Sequence, residues 1–533
     1  MRLVIWLAVV VAAVCTWVGA GERQRRRVEA RSEVQSSTAG QKAGPGRRRL
    51  IFNDDGDDVW NEQASTPEGF LSVRIAPLAG THVEAIFYCT TESFNLYTHQ
   101  SSVAELFTVR SGPFAHNNVE TLIKQGRDCL QIVIDFCHER GMEAFWSLRV
   151  NDIHDSFTPQ LLPQFKKEHP EHLMGEPGDW GKYPPTSPKR YWSFVDFEHS
   201  EIRERTFAFI REVAERYDVD GIELDFCRHP VFFRPTLEGR PVEKRHCEMM
   251  TDLMRRVRTR AKEVSRRRKR PLLIAARVLG TVELSLSRGL EVEAWLREGL
   301  IDLLVVSGGY YPFSTPWEEM VQLAHRHNVS VYACLSQSAM REERGRLECW
   351  RAAALNAWNC GVDGIYLFNC FDPHSPIWRE LGDPVELACK DKVYYLDRSL
   401  GAVGYLGGDI SPRPDLPPVT LQMGKPVPLA PLMIGDDVAA AAEEGRLTGL
   451  KLRLQFEQVT GGDEIAVALN GDELRLTKPP KGLTARPGTH WFEYYPPPAL
   501  LRKGANSLTV TLKKHSGTAE ELRLNNVQLE IRY

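Results

Sequence analysis

Val219-Asp220-Gly221-Ile222-Glu223-Leu224-Asp225-Phe226-Cys227-Arg228-His229-Pro230 has a partial copy later in the chain, Val362-Asp363-Gly364-Ile365-Tyr366-Leu367-Phe368. Both read as short buried strands with a tight start, Val-Asp-Gly, followed by core residues. Side chains alternate faces along a strand, so Glu223 and Asp225 share one face. Two carboxylates on one face of a buried strand are costly unless paired, neutralised or used. The copy carries Tyr366 and Phe368 at those two positions. A strand of this kind therefore forms without the carboxylates, which moves weight from structure to chemistry at Glu223 and Asp225.

Working outward, Leu50-Ile51-Phe52 runs into an acidic turn, Val83 to Cys89 is a second strand, and Ala144 to Val150 is a third. Residues 117–139 have helical spacing, and Gly141 stands where a helix is closed by a left-handed glycine. A polar excursion runs from 155 to about Trp192, and helix 198–217 precedes the quoted strand. Downstream, helices at 243–268, 290–298, 316–327 and 342–359 alternate with strands at 272–278, 301–307, 329–335 and 362–369. The basic face of helix 243–268 is expected to be solvated. Eight strands separated mainly by helices predict parallel βα units closed into a (β/α)8 TIM barrel. The alternative, an open doubly wound sheet, is weakened because no glycine-rich turn follows the first strand.

The stretch 401–418, rich in Gly and Pro, reads as a linker. Beyond it the pattern changes to strict alternation at Leu450–Phe456, Ile465–Leu469, Leu508–Leu512 and Val527–Ile531, with Asn470-Gly471 as a hairpin signal. The expected architecture is an α/β barrel over 50–400, a linker over 401–418 and a small all-β sandwich over 419–533.

Composition places the chain among soluble globular proteins: 533 residues, 42% hydrophobic, 26% charged, formal net charge −3. Such a balance gives no field that would draw nucleic acid or a membrane surface. Residues 1–20 have the form of a signal peptide, with Arg2, an apolar run from Leu3 to Val18 and small residues Gly19 and Ala20. Export to the periplasm or beyond is expected, with no stable membrane insertion after cleavage. Residues 21–49 read as a disordered basic linker. Of 11 cysteines, Cys15 falls in the signal segment; the other ten show no CxxC pair or zinc spacing, and most are expected as buried free thiols. Nothing in the sequence speaks to oligomeric state.

A barrel of this kind carries its chemistry at the C-terminal ends of the strands. Those ends supply Asn53, Asp54 and Asp55; Glu92; Arg149, Asn151, Asp152 and His154; Glu223, Asp225, Arg228 and His229; Arg277 and Glu283; Tyr310 and Tyr311; Gln337; and Asn369, Asp372 and His374. Carboxylates with aromatic, amide and arginine neighbours suit glycoside hydrolysis, in which one carboxyl protonates the leaving oxygen and a second attacks or activates water. Asp225 is the expected central carboxylate, as nucleophile or as stabiliser of the transition state. Glu223, one pleat deeper, would orient Arg149 or Arg277. The partner acid is open among Glu283, Asp372 and Asp152, in that order. Asp54, Arg149, Asn151, Asp152, Arg228, His229, Arg277, Tyr310 and Asn369 are candidate carbohydrate contacts. A metal reading through Asp54, Asp152, His154, Asp225 and His229 is secondary, because no compact ligand motif such as HExxH is present. No GxSxG elbow appears, and no metal or other cofactor is expected. The alternative to catalysis is a silent barrel that binds glycan.

With these residues set out, the quoted stretch resembles the Asp-Gly-Ile-x-Leu-Asp-x-x-Arg-x-Pro signature of the bacterial glycosyl hydrolase-like family 10 barrels, a group distinct from the family 10 xylanases. Arg288 to Asp302 and Gly361 to Asn369 share the likeness, which covers about residues 50–395. The resemblance implies an exported TIM barrel acting on glycans. Asp225 matches the terminal Asp of the signature, Arg228 and Pro230 match its tail, and His229 stands where an aromatic residue is common.

Overall fold

The computed structural model describes residues 48–398, 403–516 and 521–533. The expected signal peptide and the expected basic linker up to residue 47 lie outside the described residues. Eight strands close into a barrel in which all neighbours run parallel. They are β1 (Leu50–Asp54), β2 (Val83–Cys89), β3 (Glu143–Arg149), β4 (Gly221–Asp225), β5 (Leu273–Val278), β6 (Leu303–Val306), β7 (Ser330–Ser336) and β8 (Gly364–Phe368). β1 meets β8 with Leu50 opposite Ile365 and Asn53 opposite Phe368, which closes the cylinder. Helices α1 (Pro67–Arg74), α2 (Cys129–Glu139), α3 (Ser200–Arg216), α4 (Lys244–Arg268), α5 (Val292–Arg297), α6 (Trp317–His325) and α7 (Leu347–Asn359) connect successive strands.

The helix expected over 117–139 is broken in two, Val119–Lys124 and α2, because Asp128 caps the second piece by accepting from Gln131 N at 3.0 Å. α2 ends as its sequence indicates. Gly141 has φ +69°, and Met142 N donates to Cys137 O at 2.8 Å. The basic face of α4 is solvated as expected, with Arg255, Arg266 and Arg267 exposed; Arg255 and Arg256 pair with Glu298 and Glu204, and Arg258 alone of these is buried, against Asp302.

The shared Val-Asp-Gly start has a physical cause. Asp220, just before β4, accepts from Ala144 N of β3 at 2.9 Å and from His138 Nε2 near the end of α2 at 3.0 Å. Asp363, just before β8, accepts from Val331 N of β7 at 2.8 Å and from His325 Nε2 at the end of α6 at 2.8 Å. Asp302, before β6, caps Ile274 N of β5 at 2.7 Å in the same way. Each of these carboxylates satisfies a backbone donor at the bottom of the preceding strand. The following glycine is steric: a Cβ on Gly221 would lie 2.1 Å from the Phe145 ring, and one on Gly364 would lie 2.0 Å from Arg48 O.

Arg48 and Arg49, assigned by composition to the basic linker, belong to the barrel. Arg48 is buried, donates from Nη2 to Glu143 Oε1 at 2.7 Å and from Nη1 to Tyr332 OH at 3.2 Å, and so plugs the lower lumen. Composition alone cannot distinguish one buried arginine from its exposed neighbours.

The barrel's other limit also moves. Strand β9 (Lys392–Leu396), expected inside the barrel, pairs antiparallel with the final strand of a second sheet. Besides the short pair Leu432–Ile434 and Gly504–Asn506, the further strands of this region are β10 (Pro426–Pro428), β11 (Gly449–Val459), β12 (Glu464–Leu469), β13 (Gly488–Tyr494), β14 (Leu508–Lys514) and β15 (Arg523–Arg532). β9 to β15 form two antiparallel sheets, one ordered β9-β15-β11-β13 with Val419–Thr420 against β15, the other β10-β14-β12 with Asp472–Glu473. Asn470 and Gly471 have φ +52° and +96°, the left-handed pair that the two-residue hairpin between Leu469 and Asp472 requires.

The expected linker is not a free spacer over its described part. Gly404 N donates to Pro185 O at 3.0 Å, and Arg288 Nη2 donates to Gly407 O at 3.1 Å. The Tyr405 ring meets Tyr191 and His229, each with centroids 5.9 Å apart. Residues 404–407 thus lie as a strap against loops that follow β3, β4 and β5. All ten described cysteines are free and eight are buried. Among the described residues no helix is long and apolar enough to cross a membrane.

Candidate active site

Alternation along β4 sends Glu223 and Asp225 into the lumen, as the sequence implies. Glu223 accepts from Ser147 Oγ at 2.5 Å and from Tyr366 OH at 2.9 Å, so it bridges β3 and β8 across the barrel. Burial, with the Asp225 charge adding, raises its carboxyl to about 8. Asp225 lies one layer higher and is 2% exposed. Its Oδ1 accepts from Cys227 N at 2.8 Å and Arg228 N at 3.0 Å, and its Oδ2 pairs with Arg277 Nη1 at 3.0 Å. Arg277 also donates to Gly308 O at 3.2 Å and lies 3.9 Å over the Phe368 ring. Both oxygens of Asp225 are engaged, and its partner is a cation of the barrel rather than a second acid. Arg277, expected as a carbohydrate contact, is fully buried and serves this pair.

The partner acids expected for Asp225 do not join it. Glu283 is exposed in the first turn of a short helix, Val282–Leu286. Asp372 is exposed and folds onto its own loop, accepting from His374 N at 3.0 Å. Asp152 is buried and takes Arg149 Nη1 at 3.2 Å and His154 Nδ1 at 2.6 Å.

A denser group forms where β1, β2, β3 and β4 end. Arg149 reaches Asp55 Oδ1 at 2.8 Å, Glu92 Oε1 at 3.2 Å and Asp152 Oδ2 at 3.2 Å. Arg228 Nη2 contacts His154 Nε2 at 3.0 Å and Asp55 Oδ2 at 3.7 Å. A guanidinium can only donate, so His154 Nε2 accepts and its Nδ1–H faces Asp152. Burial, helped by Arg228 and Arg149, keeps the His154 pKa below its ordinary value against the pull of Asp152. The two outer carboxyls diverge. Burial raises Glu92 to about 8, with Arg149 opposing and Asp152 and Asp55 adding. Burial acts on Asp55 too, but Arg149 and Arg228 outweigh it and hold Asp55 at about 2. The side chains of Glu92 and Asp55 are 8% and 13% exposed. Both stand at strand ends in the sequence, where no local motif sets them apart from the other rim acids. The period-two pattern on β1 was the available signal, since it separates Asp55 and Asn53 from Asp54.

Asp54 illustrates that parity. Asn53 donates into the lumen to Ser147 Oγ at 3.4 Å, whereas Asp54 turns outward to Arg74 of α1 at 3.3 Å. Asp54 is therefore removed from the expected carbohydrate contacts. Asn151 is also structural: its amide donates to Val195 O at 2.9 Å and Val231 O at 2.6 Å, and its Oδ1 accepts from Val195 N at 3.1 Å, stapling the excursion to the loop after β4. His229 packs against His154, with centroids 5.3 Å apart, and Tyr405. Tyr310 is buried. Asn369 donates to Ser338 Oγ at 3.0 Å and keeps a buried Oδ1 without a hydrogen-bond partner. Phe157, 43% exposed, stands beside Trp180 at 5.8 Å between centroids.

Of the five residues of the metal reading, the structure brings Asp152, His154 and His229 together and leaves Asp54 and Asp225 elsewhere. Glu92, Asp152 and His154 each offer a donor atom within 4.8 Å of the others. Arg149 already lies against both carboxylates of that trio, and a cation there would have to displace it. Two surface clefts of about 460 and 380 Å3 lie at the opposite end of the barrel, beside Val83 and Met142 and beside Leu272 and Asp302. Each brings a single carboxylate and none of the rim chemistry.

Closed barrel and charged rim define a (β/α)8 protein of the class that places its reactive groups at the C-terminal ends of the strands. Within that class, residues 92–233, which run from Glu92 through β3, the excursion and β4, match the family model described as glycosyl hydrolase-like 10. The match supports the resemblance drawn from the sequence. A comparison with curated protein sequences finds no match. Among solved structures, a cycloisomaltooligosaccharide glucanotransferase from Paenibacillus sp. is similar at 12% identity and TM-score 0.34, covering 91% of this chain and 58% of its own. An α-galactosidase from Geobacillus stearothermophilus is similar at 11% identity and TM-score 0.36, covering 91% and 55%. An α-amylase from Anoxybacillus is similar at 11% identity and TM-score 0.35, covering 89% and 99%. The chain thus spans less than two thirds of the length of the first two.

Proposed function

We propose that the chain is an exported glycosidase that hydrolyses O-glycosidic bonds of a poly- or oligosaccharide at this rim, with Glu92 as the proton donor and Asp55 as the ionised partner. One observation carries the reading: two rim carboxyls flank a single guanidinium, and their surroundings drive their proton affinities apart, Glu92 to about 8 and Asp55 to about 2. Divergent carboxyls are the requirement for acid and base roles at one pH. Arg149 would stabilise Glu92 once its proton is given up. Phe157 and Trp180 would offer a face for a sugar ring, and His154, Arg228 and Asn369 would meet hydroxyls. Asp225 is then a positioning residue, holding Arg277 and the backbone that presents Arg228. The antiparallel sheets would stack as an accessory sandwich.

The experiment is turnover on a panel of glycans. Glu92→Gln is expected to lower kcat by about 10²–10⁴-fold with little change in binding. Activity should fall as pH rises through about 8, where Glu92 loses its proton. Loss of turnover in Asp225→Asn with turnover kept in Glu92→Gln would return the central role to Asp225. A second reading, a barrel that binds glycan without cleaving it, is favoured by one fact: Asp55, Glu92, Asp152 and Asp225 all lie in ion pairs. Glycan binding by a wild type that hydrolyses nothing would establish that reading instead.

A further inference from the structure

The excursion between β3 and α3 holds a histidine corner that the rim does not use. His169 caps the turn Pro170–His172, which ends on His172, and His199 is the N-cap residue of α3. The His172 ring lies 5.3 Å from that of His169 and 4.9 Å from that of His199, centroid to centroid. Two carboxylates accompany them. Glu171 Oε1 is 3.0 Å from His169 Nδ1, and Glu201 lies in the first turn of α3. One donor atom each from His169, Glu171 and His172 lies within 4.8 Å of the others, and the same is true of His172, His199 and Glu201. His172 is common to both groups.

Two further observations point to a ligand. His172 is 8% exposed, and its Nδ1 is shielded from solvent without a hydrogen-bond partner. An orphaned buried nitrogen is unfavourable unless something fills it. His199 occupies an N-cap position, where short oxygen-bearing side chains are preferred, yet its ring makes no cap bond. Its presence is not explained by the helix.

We propose that His169, His172 and His199, with Glu171 or Glu201 as the fourth ligand, form a site for one divalent transition-metal ion of the zinc type. Three imidazoles and a carboxylate suit tetrahedral zinc. The ligand atoms must close in from their present spacing, and the exposed His169 and Glu171 side chains have the freedom to do so. Bound there, the ion would tie the middle of the excursion to the start of α3 and so fix the segment that carries Phe157, Trp180 and Tyr191.

The test is zinc titration of the purified full chain by calorimetry, with the visible spectrum of added cobalt(II) as a second readout. The expected result is one ion per chain, a tetrahedral cobalt spectrum, and an affinity lowered in His172→Ala by more than the roughly 100-fold that loss of an outer-shell partner costs. His199→Asn, which keeps a good helix cap, should lose affinity as well while remaining folded by circular dichroism. Zinc should slow proteolysis within 155–199 in the wild type and not in His199→Asn. The proposal is overturned if the wild type takes up no zinc, if His172→Ala binds as tightly as the wild type, or if Asp152→Asn at the rim is the variant that abolishes uptake.

Discussion

β4 and β8 begin alike and end differently. Both start with an aspartate that caps the preceding strand and a glycine that makes room for an aromatic ring or a carbonyl. Higher up, Glu223 and Asp225 of β4 stand against Tyr366 and Phe368 of β8. In the sequence this looks like a controlled comparison, in which one strand carries acids and the other shows that acids are dispensable. In the barrel the two strands are not independent. Tyr366 donates to Glu223, and Arg277 is held between Asp225 and the Phe368 ring. The difference between the copies is complementarity: each supplies what the other lacks, in two successive layers of one lumen.

The comparison can be broken first at its shared start. Gly364→Ala places a Cβ against a backbone carbonyl that cannot turn aside, and should cost about 3 kcal/mol or more. Gly221→Ala meets the Phe145 ring and should cost about 1–3 kcal/mol, both read from denaturant unfolding. At the upper layer, Arg277→Met leaves Asp225 buried without its cation and should cost about 3–5 kcal/mol, with most of it regained in Arg277→Met/Asp225→Leu. Asp220→Ala and Asp363→Ala remove equivalent caps. Each should cost about 1–3 kcal/mol, and values that disagree widely would show that the common start does not work alike in the two strands.

The smallest effect belongs to Glu223→Gln, and it is a change of slope. Glu223 holds its proton in the folded state up to about 8, whereas the unfolded chain releases it in the ordinary carboxylate range. Its contribution is complete below that range and is lost as pH rises toward 8. Glu92 acts with the same sign. Urea midpoints measured from pH 5 to pH 9 should therefore fall with pH in the wild type and fall less in Glu223→Gln, with little change at the acid end.

The barrel was legible because its strands are short apolar runs separated by amphipathic helices, and both periods are local. α1 leaves no such pattern, because it is eight residues long and buries only Phe70. The site was legible in part. Parity along β4 identified Glu223 and Asp225 as inward acids. Their partners could not be read, because Tyr366 is 143 residues from Glu223 and Arg277 is 52 from Asp225. No local pattern reports a contact across a closed sheet. Asp55 and Glu92 meet through Arg149 and through the His154–Arg228 contact, and both links depend on the loop geometry after β1 and β2. Arg48 shows the converse, since a basic composition hid a residue that fills the bottom of the lumen.

The strap at residues 404–407 bears on how separable the parts of this protein are. The strap comes after β9, the first strand of the antiparallel region, and lies against the upper loops of the barrel before the chain goes on to β10. Tyr405 lies against His229, and Gly404 and Gly407 are held by loops after β3 and β5. Exchanging the sheets for another module, or cutting the chain ahead of them, would re-cut the opening of the barrel itself. The region after the barrel is therefore tied to the loops around His229, and a change in one is a change in the surroundings of the other.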